Sequence, residues 1–180
     1  MKIRIGAAGL AAIALSACAS QGGPPSAGPA PKSAPTATND AFQAADFAWS
    51  KTPGRGRIDG QLTFGVAGKA YTCADAPVVL TPETPWVRRR MAILYGSDKS
   101  SMLPADEVRR RTPPERSQDY SGFVRRVTCD AAGRFSFSGL PDGSWFVITV
   151  ARPPSGVAGR EMALMRHVTL RNGESLKLTL

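Results

Sequence analysis

Residues 130–150, DAAGRFSFSGLPDGSWFVITV, constrain the fold more tightly than any other stretch of the chain. Phe135 and Phe137 alternate with Ser136 and Ser138, the period of two that sends successive side chains to opposite faces of a strand. Asp130 to Gly133 reads as a turn, and so does Leu140-Pro141-Asp142-Gly143. Proline presets φ at a turn's second position, and glycine takes conformations that other residues avoid. The apolar run SWFVITV that follows is one strand crossing a core.

The same period recurs along the chain. In RIDGQLTFGV, from residue 57, Ile58, Leu62, Phe64 and Val66 share one face with Gly60 in register, while Arg57, Asp59, Gln61 and Thr63 take the other. Val78, Val79 and Leu80 form a short apolar run, and GFVRRVTC places Phe123, Val127 and Cys129 on one face. Met162, Leu164, Val168 and Leu170 share a side, and Leu176, Leu178 and Leu180 alternate to the end. Between those two runs Asn172-Gly173 predicts a hairpin, because both positions of its tight turn need positive φ.

One stretch departs from the pattern. Thr84 is placed to cap a helix with Pro85 in its first turn; Trp86, Val87, Met91 and Leu94 fall near one helical face, and Gly96 stops it. Residues 97–119 are polar and broken by Pro104, Pro113 and Pro114, with ADEVRRR long enough for about two helical turns. AFQAADFAW, from residue 41, reads as a short leading helix. The expected architecture is all-β, an antiparallel sandwich with a helical insertion at about 84–118.

Asp130, Gly133, Phe135, Phe137, Leu140, Pro141, Gly143, Trp145 and Val147 together resemble the signature of the carboxypeptidase regulatory-like domain. Its opening strand has a counterpart in Gly56-Arg57-Ile58-Asp59-Gly60. The resemblance implies a seven-stranded prealbumin-like (Ig-like) sandwich over residues 41–180, an accessory module found in many unrelated proteins. The insertion after T-P-E-T-P-W looks like that of bacterial envelope proteins of this class.

Lys2 and Arg4 precede an uncharged run, residues 5–17, with the shape of a secretory signal. Leu15-Ser16-Ala17-Cys18 resembles the bacterial lipobox, which implies cleavage after residue 17 and lipidation of Cys18, as by palmitate. The absence of Asp at position 19 points by the same resemblance to the periplasmic face of the outer membrane rather than the inner membrane. Several acyl chains hold a protein stably on a bilayer, each buried methylene contributing about 0.8 kcal/mol. Residues 18–40, rich in Pro, Ala, Gly and Ser, cannot bury enough surface to offset their ordering entropy, and read as a disordered tether. Without Lys2 and Arg4, the 23 basic residues become 21 against 14 acidic ones, a net charge of +7. On an envelope protein that excess faces lipid headgroups and anionic polymers rather than nucleic acid.

Cys73 and Cys129 remain once Cys18 is lipidated. In an oxidising envelope they are expected to bridge, and the alternative is two buried reduced thiols. His167, the only histidine, alternates away from the apolar face of its strand and is expected on the surface; alone it makes no zinc site. Neither G-x-S-x-G nor H-E-x-x-H occurs, and GRGRIDG at 54–60 has the wrong glycine spacing for a dinucleotide loop. The transthyretin-like hydrolases share the expected fold, but one histidine cannot supply their site and their Tyr-Arg-Gly-Ser ending is Lys-Leu-Thr-Leu here. No catalytic residue, metal or cofactor is assigned. The remaining feature is the arginine content of the insertion: Arg88, Arg89 and Arg90, then Arg109, Arg110 and Arg111, suited to phosphate or carboxylate recognition. The alternative is a solvated, solubilising helix face. The expected role is a non-enzymatic binding or structural module for protein or anionic envelope polymer. The alternative is an accessory subunit or sensor of a larger secretion or transport complex.

Overall fold

A computed structural model describes residues 41–113 and 120–180. The signal at 1–17, Cys18, the tether to residue 40 and the end of the insertion at 114–118 lie outside the described residues.

The chain runs through a 3-10 helix (Ala44–Lys51) and the strands β1 (Gly56–Gln61), β2 (Gly65–Val66), β3 (Lys69–Ala70) and β4 (Pro77–Pro82). The insertion follows as α1 (Pro85–Tyr95), β5 (Ser100–Pro104) and α2 (Ala105–Arg111). A short 3-10 turn (Ser121–Phe123) leads into β6 (Arg125–Thr128), β7 (Arg134–Leu140), β8 (Gly143–Ala151), β9 (Met162–Leu170) and β10 (Ser175–Thr179). Among the described residues there are therefore ten strands rather than seven. The seven legible runs are β1, β4 and β6–β10; the other three are the exposed hairpin β2–β3 and the insertion strand β5. Ser-Ser-Met-Leu-Pro has no alternation to reveal β5, which forms by pairing antiparallel with β9.

The strands make a sandwich of unequal sheets. The smaller has the order β10-β1-β7, with β1 parallel to β10 and antiparallel to β7. The larger is antiparallel throughout, in the order β5-β9-β8-β4-β6. Ile58, Phe135, Phe137 and Leu140 of the small sheet meet Val78, Leu80, Trp145, Val147, Leu164, Val168 and Leu170 of the large one. Cys73, before β4, and Cys129, just past β6, are bridged in this core with Cα atoms 5.7 Å apart. Gly60 is obligatory here, since a Cβ would stand 2.0 Å from the Phe135 ring.

The large sheet has a second buried face. Phe146, Ala163 and Met165 pack against Phe47 and against Val87, Met91, Leu94 and Tyr95, with Phe42, Trp86, Tyr120 and Phe123 around them. Phe123 thus belongs to this helical layer, not to the face shared by Val127 and Cys129, because β6 begins only at Arg125. α1 forms as expected: Thr84 Oγ1 accepts from the Val87 N–H at 3.1 Å, Pro85 opens the first turn, and Gly96 ends the helix at φ 69°.

The Asn-Gly turn differs from expectation. Asn172 and Gly173 take the positive φ values of 56° and 66°, yet β9 and β10 lie in different sheets. The turn is a corner between sheets rather than a hairpin. Leu140-Pro141-Asp142-Gly143 is a second such corner, since β7 and β8 are also in different sheets. The Asp142 carboxylate fastens the two corners, accepting from the N–H groups of Asn172 at 2.6 Å and Gly173 at 2.8 Å.

Candidate functional site

A cleft of about 830 Å³ opens where the N-terminus of α1 faces the β7–β8 corner. Trp49, Glu83, Arg88, Arg89, Asp98 and Asp142 contribute its larger side chains. They come from five separate places in the chain: Trp49 from the leading 3-10 helix, Glu83 from the β4–α1 joint, the two arginines from α1, Asp98 from the turn after it and Asp142 from the corner.

Trp49 sits edge-on to the buried Trp145 ring, with centroids 4.9 Å apart, and lies over Gly143. A Cβ at Gly143 would approach the Trp49 ring to 2.4 Å, and the φ of 143° is one that residues with a Cβ avoid. The glycine of the turn motif therefore shapes the cleft as well as the corner.

The polar groups hold one another. Arg88 donates through Nη2 to Glu83 Oε1 and through Nη1 to Asp98 Oδ2 at 3.2 Å. Glu83 Oε2 lies 2.8 Å from Nε2 of His167, so the neutral ring carries its hydrogen on Nε2 and donates to the carboxylate. His167 does face away from Leu164, Val168 and Leu170, but α1 covers that side. Its side chain is only 14% exposed and stacks near Phe146, so it is not the surface residue expected. Burial pushes its pKa below the ordinary value, Lys99 and Arg88 push the same way, and Asp98 opposes them.

The arginines expected to act together are separated. Arg88 and Arg89 line the cleft, whereas Arg90 stacks over Trp86 and Tyr120, 5.5 and 5.9 Å from the ring centres. On α2, Arg109 pairs with Glu161 at 2.8 Å, Arg110 with Asp106 at 2.6 Å, and Arg111 with Glu107. Arg125 is structural: it donates to the carbonyls of Ser50, Ser138 and Gly139 and lies 5.7 Å from the Trp145 ring. The structure brings no single field of six unpaired guanidinium groups together. Glu83, Asp98 and Asp142 set against Arg88 and Arg89 give the cleft a mixed charge, with hydrogen-bond acceptors and donors around one aromatic ring.

No family model matches the chain, and no curated protein matches it. A solved structure with a similar fold is a protein of Pseudomonas aeruginosa described as a "putative carbohydrate binding protein". The TM-score is 0.55 at 24% sequence identity, over 77% of this chain and 97% of that one.

Proposed function

We propose that the protein is a lipid-anchored envelope module that binds the hydroxyl-rich part of an envelope polysaccharide in the Trp49 cleft, without turning it over. The carrying observation is the composition of that cleft: an indole ring beside carboxylates that accept, and guanidinium groups that donate, around a space large enough for a sugar unit or two. Sugars present alternating apolar ring faces and hydroxyls, and such a mixed lining complements both. Net positive charge is not what recommends the site, because Arg88 is already engaged by Glu83 and Asp98. The description of the structural neighbour points the same way at the level of fold.

A binding role also fits the state of the carboxylates. Glu83 is held by a guanidinium and an imidazole, and Asp142 by two backbone N–H groups, so each is fixed in place as a hydrogen-bonding partner. The anchor rests on Lys2, Arg4 and the Leu15-Ser16-Ala17-Cys18 sequence.

Retention on immobilised peptidoglycan, lipopolysaccharide and dextran tests the reading. Hydroxyl recognition predicts binding to at least one that persists in about 0.5 M salt, where exposed charges are screened. Trp49→Ala and Asp98→Asn should each weaken it about tenfold, with folding checked by circular dichroism. Absence of retention on all three, or retention lost in salt and indifferent to both substitutions, would overturn it.

A further inference from the structure

The sandwich is closed on one side and open on the other. Where β6 turns into β7 the chain passes from large sheet to small, and that side is sealed. On the opposite side the small sheet ends at β10, while the large sheet continues to β5. A gap of about 250 Å³ remains between them, lined by Phe64, Met102, Leu164, Arg166 and Leu180. Met102 is 49% exposed there, although its register partner is the buried Leu164.

The hydrogen bonds show what the gap lacks. Arg57 donates to the Glu174 carbonyl, Leu180 donates to Gln61, and Thr63 donates to Leu180. In a parallel ladder alternate residues bond to one neighbour, so Leu176 and Leu178 also face β1. The N–H and C=O groups of Ser175, Lys177 and Thr179 therefore point away from the sheet along an edge that no other strand among the described residues occupies. The other edge by the gap, β5, is blunted: Pro104 has no N–H, and Ser100 gives its own to Ser97 Oγ at 3.3 Å.

We infer that β10 is a docking edge for an extended partner peptide that adds as a fourth strand of the small sheet, with alternating apolar and acidic side chains. The peptide's apolar residues enter the gap over Met102 and Phe64; its acidic residues, on the opposite face, meet Lys177, whose neighbour Asp59 is already held by Arg57. No carboxylate lines the gap. A second copy of this chain fits less well, because antiparallel pairing of two β10 strands about their centre sets Lys177 opposite itself. The edge is separate from the Trp49 cleft, and the inference stands without the saccharide reading.

The test uses the purified, oxidised full chain and two synthetic probes of about eight residues, alternating valine–glutamate and alternating valine–lysine, with residue-resolved amide exchange as the readout. The glutamate probe should slow exchange at Ser175, Lys177 and Thr179 about tenfold or more, and the lysine probe should not. Lys177→Pro removes an outward N–H without touching the ladder to β1 and should abolish that protection. Lys177→Glu, which leaves the backbone intact, should reverse the preference between probes. Protection at Met102 instead, equal response to both probes, or concentration-dependent dimerisation lost in Lys177→Pro would each overturn the inference.

Discussion

β8 and β10 are both strands of one sandwich, but they meet different surroundings. Trp145, Phe146 and Val147 are consecutive in β8 and all fully buried, since the small sheet covers one face and the helical layer the other. In β10, Leu176 and Leu178, with Leu180 just past its end, face the core and are only half-buried, while Ser175, Lys177 and Thr179 are exposed. Neighbours thus set how much a strand's residues contribute, and a strand with covers on both faces loses its alternation. The comparison also separates stability from availability: β8 carries the packing, and β10 keeps an edge and a face free.

The sharpest way to break this contrast is by truncation. Phe146→Ala opens a cavity between sheet and helices and should cost about 3–5 kcal/mol in denaturant unfolding. Leu178→Ala, at a position that water already reaches, should cost about 1 kcal/mol. Equal costs would mean that the helical layer adds little to the large sheet.

The disulfide acts on both regions together. Cys73 and Cys129 close a loop across a sequence separation of 56, and constraining the unfolded chain by that much contributes at most about 4 kcal/mol. The double change Cys73→Ala and Cys129→Ala should lower stability by up to that figure while leaving the Phe146→Ala and Leu178→Ala costs unchanged. If the smaller sheet alone loosens, as read by amide exchange in β1 and β7, the bridge acts locally on the native state instead.

What could be read in the sequence follows the same division. β1, β7 and β10 face solvent on one side, so their alternation is plain, and Ile58, Phe135 and Phe137 are buried as the pattern requires. β9 also reads as a strand, but alternation says only that His167 opposes Leu164; it does not say that α1 covers that side. The Asn172-Gly173 turn has the backbone expected of it, yet the partners of its strands are decided by sequence-distant pairing. The cleft was half legible: Arg88 and Arg89 stand out as arginines, but Trp49, Glu83, Asp98 and Asp142 join them only through the fold. No local spacing records that meeting.

Acid titration gives the smallest effect and separates the two regions by pH. His167 lies under the helical layer, and its folded pKa is pushed below the ordinary 6.5 by burial, Lys99 and Arg88. As pH falls past 6.5 the unfolded chain takes up a proton that the folded chain still refuses, so the unfolded state is favoured. His167's contribution is therefore present in full above about pH 6.5 and is lost as pH falls through its folded pKa. On the outer face of the small sheet, the Arg57 side chain and then Ser136 hold Asp59 below 3.8, and the backbone N–H of Arg134 is the main cause at Asp130. Those carboxylates contribute above pH 3.8 and lose their share only below it. His167→Gln, which keeps a donor for Glu83, should leave melting below pH 4 unaltered. Between pH 7.5 and 5 the wild type should lose its advantage over this variant. An advantage that instead grows on acidification would mean that the imidazolium pairs with Glu83 strongly enough to overcome burial, and that the helical layer stabilises a charge rather than excluding one.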